Sequence, residues 1–209
     1  MLVAVVDGSR LKADWLERAR AAAPAVDVVV LRVKDRPARE QWEMARALVA
    51  AAAPRPVLVA DRLDVAQGAG AAGVHLPEAG LPAPVARRLW PRGLIAQAVH
   101  GVAGVDGLVD VDWLVFGHLF PTRSHPGEPA RGLEAARPVK AAARVPVVGI
   151  GGITAANAGA VRAAGLDGIA VVDALWEAPD PLAAARALRT AFGGEGEAGH
   201  AAQDQRPMA

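Results

Sequence analysis

Histidine is the residue type here best suited to moving protons near neutral pH, and the chain has five. Four of them, His75, His100, His118 and His125, fall at or just beyond the ends of three consecutive apolar runs. An imidazole titrating near neutrality can take a proton from one position of a substrate and return it at another. No HxH or HxxxH spacing or neighbouring carboxylate pair accompanies these histidines, so no metal site is expected. A second kind of chemistry is written at Arg32 and Lys34, which end an apolar run two residues apart. Strand alternation puts such a pair on one side, and two cations there suit an anionic ligand. The third is in GIGGIT, from Gly149 to Thr154, and GIAVVDAL, from Gly168 to Leu175. Glycines that bare their amides after a strand, here Gly151 and Gly152, favour a phosphate, and GIAVVDAL offers a second set of amides. Asp173 is discordant, because a carboxylate beside a phosphate costs energy unless it points away.

Something must bring these segments together. Short apolar runs at Val3–Val6, Val26–Leu31, Val57–Ala60, Gly73–Leu76, Leu94–Val99, Trp113–Phe116, Val145–Ile150 and Ile169–Val172 alternate with helical patterns. The helices are expected over Leu11–Ala23, Pro37–Ala53, Asp61–Ala69, Pro82–Leu89, Val102–Val109, Leu133–Ala143, Thr154–Ala164 and Pro181–Phe192. This α/β alternation with short links predicts a single (β/α)8 TIM barrel over residues 1–192 rather than an open doubly wound sheet. The stretch from Gly193 to Ala209 lacks periodicity and is expected to be a disordered tail.

In such a barrel the strand C-termini carry the site. Leu114, Phe116 and His118 then share a face, which should bring His118 to the mouth. His75 is out of phase with Val74 and Leu76 and is expected to face the helices. The stretch Asp112–Leu133 is a strand opening into a loop stiffened by prolines and glycines, where Thr122, Ser124 and His125 take polar and loop-closing roles.

Bulk properties narrow the partners. The 209 residues carry a net charge of +1 with interspersed signs, so neither nucleic acid nor a membrane surface is expected. The N-terminal apolar run is too short for a signal peptide, and no run approaches the roughly 18 residues of a membrane span. A cytoplasmic location is the expectation.

Five motifs in this order resemble the thiamine phosphate synthase/TenI superfamily. They are LRVK from Leu31, DRLDVAQGAGAAGVHL from Asp61, AVH from Ala98, GHLFPTRSHPGEPARGL from Gly117 and VPVVGIGGITAANAGAVRAAGLDGIAVV from Val145. The resemblance implies a barrel, a homodimer and a phosphorylated thiazole ligand. Its synthases carry Asn-Asp after strand three, Gly-Gln-x-Asp after strand four, Gly-Pro after strand six and a lysine in the next loop. Here Ala60-Asp61, Pro77-Glu78-Ala79-Gly80, Gly117-His118 and His125 stand in those places, and Ala98 replaces a serine. These departures lead to the expectation of a TenI-like thiazole tautomerase, an isomerase that shifts a proton without metal or cofactor. His118 would be its acid/base, assisted by His100. Arg32, Lys34, Thr122, Ser124, Arg131 and Gly132 would bind the substrate, and Gly151, Gly152, Val171, Val172 and Asp173 its phosphate. A magnesium-dependent thiamine phosphate synthase is the alternative, and a non-catalytic binder of thiazole phosphate a third.

Overall fold

Eight parallel strands hydrogen-bond in chain order and close on themselves, the last pairing with the first. The structure is a computed structural model describing residues 1–124 and 126–193. His125 and the tail expected after residue 193 lie outside the described residues. The strands are β1 Leu2–Asp7, β2 Val28–Arg32, β3 Val57–Ala60, β4 Gly73–Leu76, β5 Leu94–Val99, β6 Trp113–Gly117, β7 Val147–Ile150 and β8 Gly168–Val171. The helices are α1 Trp15–Ala22, α2 Ala38–Ala52, α3 Leu63–Gly68, α4 Ala83–Leu89, α5 Gly132–Ala142, α6 Ala158–Ala163, α7 Asp173–Trp176 and α8 Pro181–Gly193. The expected (β/α)8 barrel is what the chain forms.

Alternation divides each strand between two cores. Val3, Val5, Val28, Val30, Leu58, Val115 and Val148 fill the barrel interior. Their neighbours Ala4, Val6, Val29, Leu31, Val59, Leu114 and Phe116 pack outward against the helices. Both faces are dry, which is why these strands read as continuous apolar runs.

The N-terminal end of the barrel is fastened by a device used three times. Asp27, Asp112 and Asp167 each stand one residue before an even-numbered strand. Each accepts the backbone N–H that starts the preceding odd strand or lies next to its start, Leu2, Ile95 and Val147 respectively, at 2.7 Å. Each also meets a cation, namely Arg189, Arg87 and Lys140. Removing such an acceptor strands a buried amide, which costs about 1–3 kcal/mol. Asp112→Ala is therefore expected to lower unfolding stability by that amount in urea melts, with the barrel still formed.

One expected helix is absent. Val102–Val109 contains only a 3-10 turn at Val102–Gly104. The left-handed conformations of Gly107 and Asp110, with φ of 68° and 65°, end any helical path there. The long link before β6 thus stays irregular.

Candidate active site

A cavity of 560 Å³ opens at the C-terminal ends of the strands. Because Val28 and Val30 point inward, the same alternation carries Arg32 and Lys34 to its wall. Arg32 donates from Nη1 to Asp7 Oδ2 at 2.8 Å, and Asp7 is only 6% exposed. The other Asp7 oxygen accepts the backbone N–H and the hydroxyl of Ser9. The Arg32 guanidinium is thus anchored on its Asp7 side while its remaining surface meets the cavity.

The glycines after β7 take conformations that bare their amides. Gly151 and Gly152 have φ of 99° and 63°, and both line the cavity with Val171 and Val172. Asp173 follows as the first residue of α7. Its oxygens lie 2.7 and 2.9 Å from Arg10 Nη1, and Arg123 Nε approaches at 3.3 Å. Arg123 reaches Glu177 as well. The carboxylate that looked discordant beside a phosphate is thus neutralised by two guanidiniums. Neither Arg10 nor Arg123 could be inferred from spacing, since 163 and 50 residues separate them from Asp173.

The histidines sort differently from the expectation. His75 lines the cavity, so it belongs to the inward face of β4 and not to the helix layer. Leu114 and Phe116 face the helices, so the shared-face argument for His118 fails. His118 reaches the cavity wall from beyond the end of β6, after a cis Gly117–His118 peptide, and is 6% exposed. His100 lines the wall too, with its Nδ1 2.6 Å from Glu78 Oε2.

Thr122 and Ser124 line the cavity, and Thr122 Oγ1 accepts the Ser124 N–H in a local turn. Arg131 also reaches the wall, but its Nε donates to Gly117 O at 2.8 Å and its Nη1 to His100 O at 3.1 Å. It therefore ties the ends of β5 and β6 together. Gly132 does not line the cavity, because its amide donates to Leu119 O where α5 begins.

Burial lowers the His75 pKa to about 4, with the nearby Arg32 charge acting in the same direction. Its ordinary value is 6.5, so between pH 6.5 and 4 the unfolded chain takes up a proton that the folded one refuses. Stability from this group is complete above pH 6.5 and is lost as the pH falls through that window. The loss should reach about 3 kcal/mol by pH 4. Comparing urea melts of wild type and His75→Gln across this range reads it as a difference that shrinks toward acid pH.

A divalent cation, implied by the synthase resemblance, fits these residues poorly. Asp61 keeps the first carboxylate of the resemblance at the cavity wall, but Asp7 is held by Arg32, Asp173 by Arg10 and Arg123, and Glu78 by His100. Gly80 stands where the second metal carboxylate is expected, and a Cβ there would meet Pro77 Cδ at 2.7 Å. Among the described residues no three His, Asp or Glu side chains are grouped to hold a metal.

A family model described as thiamine monophosphate synthase matches residues 2–175. The thiamine-phosphate synthase of Moorella thermoacetica is 42% identical over 185 residues, covering 83% of this chain and 86% of its own length. That of Methanoculleus marisnigri is 43% identical over 175 residues, covering 81% and 83%. Among solved structures, thiamine phosphate pyrophosphorylase from Pyrococcus furiosus superposes with a TM-score of 0.80 at 30% identity, covering 92% and 95%. These relatives overturn the expectation of a thiazole tautomerase. That expectation leaned on a few substitutions at Ala60, Gly80, Ala98, His118 and His125, whereas the likeness to proteins named as synthases runs through most of the barrel.

Proposed function

This chain belongs to the thiamine monophosphate synthase family. From that premise we propose that it is a transferase of thiamine biosynthesis, joining a pyrimidine diphosphate to a thiazole phosphate with release of pyrophosphate. The observation that carries the reading is the 42% identity to a named synthase over 185 residues. The cavity supports it through two anion-binding sectors on one rim. Arg32, which ends β2, and Lys34, just beyond it, supply cations for a diphosphate. Gly151, Gly152, Val171 and Val172, at β7 and β8, offer amides for the phosphate of the thiazole.

The chemistry required is substitution at the exocyclic CH2 of the pyrimidine. Its C–O bond breaks with the electron pair leaving on the diphosphate, and the thiazole nitrogen forms the new C–N bond. Fixed positive charge near the departing oxygens stabilises that step, because a preorganised cation needs no reorganisation as charge develops. Arg32 is preorganised by Asp7 in this sense, and Lys34 adds a mobile point charge. A homodimer belongs to the same reading, through the family resemblance, and light scattering on the purified protein reads it.

The test follows pyrophosphate. Protein mixed with pyrimidine diphosphate and thiazole phosphate should release it catalytically, and at a far lower rate when thiazole phosphate is omitted. Tight binding of thiazole phosphate without any pyrophosphate release would replace this reading with that of a non-catalytic binder.

A further inference from the structure

Asp173 starts α7 and Glu177 follows just past its end, so helical spacing of four puts both carboxylates on one face. Arg123 spans them, with Nε 3.3 Å from Asp173 Oδ2 and Nη2 donating to Glu177 Oε1. The segment that leads to Arg123 is pinned to the glycine turn after β7. Leu119 N–H donates to Ile150 O at 2.8 Å, and Phe120 N–H to Gly151 O at 3.1 Å. A Cβ on Gly152 would lie 2.5 Å from the Pro121 carbonyl oxygen, so backbone meets backbone there. Arg123 comes two residues later and reaches from the β7 turn across to α7. The amides of Gly151 and Gly152 lie at one end of that crossing, and those of Val171 and Val172 at the other. All five residues line the cavity. Arg10, at the end of the 3-10 turn Gly8–Arg10 after β1, contacts both Asp173 oxygens from outside the cavity wall. Arg10 thus holds Asp173, and Asp173 holds the cation that faces the ligand.

We propose that Arg123 reads the phosphate of the thiazole ligand, with Asp173 and Glu177 as its positioning residues. The inference rests on the synthase reading and deepens it by naming the cation of the phosphate sector. Amides alone bring only partial charges to a phosphate. A dianion seated on those of Val171 and Val172 also lies next to Asp173, whose full negative charge repels it. Arg123 places the opposite charge between the two. A guanidinium carries five N–H donors in a fixed fork, so it can keep both carboxylates and still meet a phosphate oxygen. At 64% exposure it is open to an incoming ligand. Asp173 therefore has two opposed effects: it repels the phosphate directly and holds in place the cation that attracts it.

Calorimetry with thiazole phosphate and with the thiazole alcohol that lacks the phosphate tests the assignment. Arg123→Gln should weaken thiazole phosphate by about 10- to 100-fold, the loss expected for a hydrogen bond between charged groups. Affinity for the alcohol should stay at the wild-type value. Arg123→Lys keeps the charge without the fork and should fall between the two. Asp173→Asn should weaken thiazole phosphate about 3- to 5-fold although it removes a negative charge, because the ion pair that places Arg123 is gone. In the Arg123→Gln background the sign should reverse, since only repulsion is left for Asp173→Asn to relieve. A tie that merely fixes the loop would lower the melting temperature and weaken both ligands alike. Equal losses for phosphate and alcohol in Arg123→Gln, or tighter phosphate binding by Asp173→Asn in both backgrounds, overturns the proposal. Wild-type protein that binds thiazole phosphate but releases no pyrophosphate overturns the synthase reading instead and leaves the role of Arg123 standing.

Discussion

Arg32→Ala should lower kcat/KM for the pyrimidine diphosphate by about 10²–10³-fold, which corresponds to about 3–4 kcal/mol of transition-state stabilisation. Two effects add in this variant. The cavity loses a guanidinium that Asp7 holds in place at 2.8 Å. Asp7, only 6% exposed, is also left without the cation that balances it. Removing one partner of a buried pair costs about 3–5 kcal/mol, and the 36% exposure of Arg32 places this case at or below the low end. The fold should therefore weaken together with the activity. The double variant Asp7→Asn/Arg32→Ala separates the two, because it removes the stranded charge but not the need for a cation. Stability should largely return in urea melts while kcat/KM stays low. Recovery of both would reassign Arg32 to structure. Arg32→Lys keeps the charge without the planar fork and should fall between wild type and alanine.

Gly151→Ala is expected to be the most disruptive single-methyl change at the site. With φ at 99° the residue occupies backbone space that L side chains avoid. A Cβ there would lie 2.3 Å from the His118 Cβ and 2.8 Å from its Cα, so a rigid strand end would have to yield. The strained conformation and the overlap each cost about 1–3 kcal/mol. Together they should remove about 4 kcal/mol of stability and shift the amide presented to the ligand. Binding of thiazole phosphate, followed by calorimetry on whatever fraction remains folded, should weaken at least about 10-fold. A variant with wild-type melting and wild-type affinity would show that the turn after β7 is neither tight nor part of the phosphate cradle.

Much of the barrel was legible in the sequence because each strand is buried on both faces, so its apolar run is unbroken. Arg32 and Lys34 could be placed because two-residue spacing extends strand alternation by one step beyond Val30. Elsewhere local pattern was insufficient. The link at Val102–Val109 has helical composition, yet left-handed turns at Gly107 and Asp110 break it. The pattern turns His75 to the wrong face, because Val74 and Leu76, its large apolar neighbours, look like the inward residues. They pack outward, where the helix layer has room for bulk, while the interior receives Gly73 and His75. The same inversion holds on β6, where Leu114 and Phe116 pack outward and do not share a face with His118 toward the cavity. Glu78, Arg10 and Arg123 left no local signal, since their partners lie 22, 163 and 50 residues away and meet them only when the barrel closes. The choice of activity failed for a related reason. A few substitutions at strand ends point away from a synthase, while the Arg10 and Arg123 contacts to Asp173 and the Glu78–His100 pair form only when the barrel closes.

Formation of a carbon–nitrogen bond between two phosphorylated heterocycles is read by mass spectrometry of a reaction containing pyrimidine diphosphate and isotopically labelled thiazole phosphate. The synthase reading predicts labelled thiamine phosphate in a one-to-one ratio with pyrophosphate, over many turnovers per protein chain. Recovery of both substrates unchanged, with no labelled product, would contradict it.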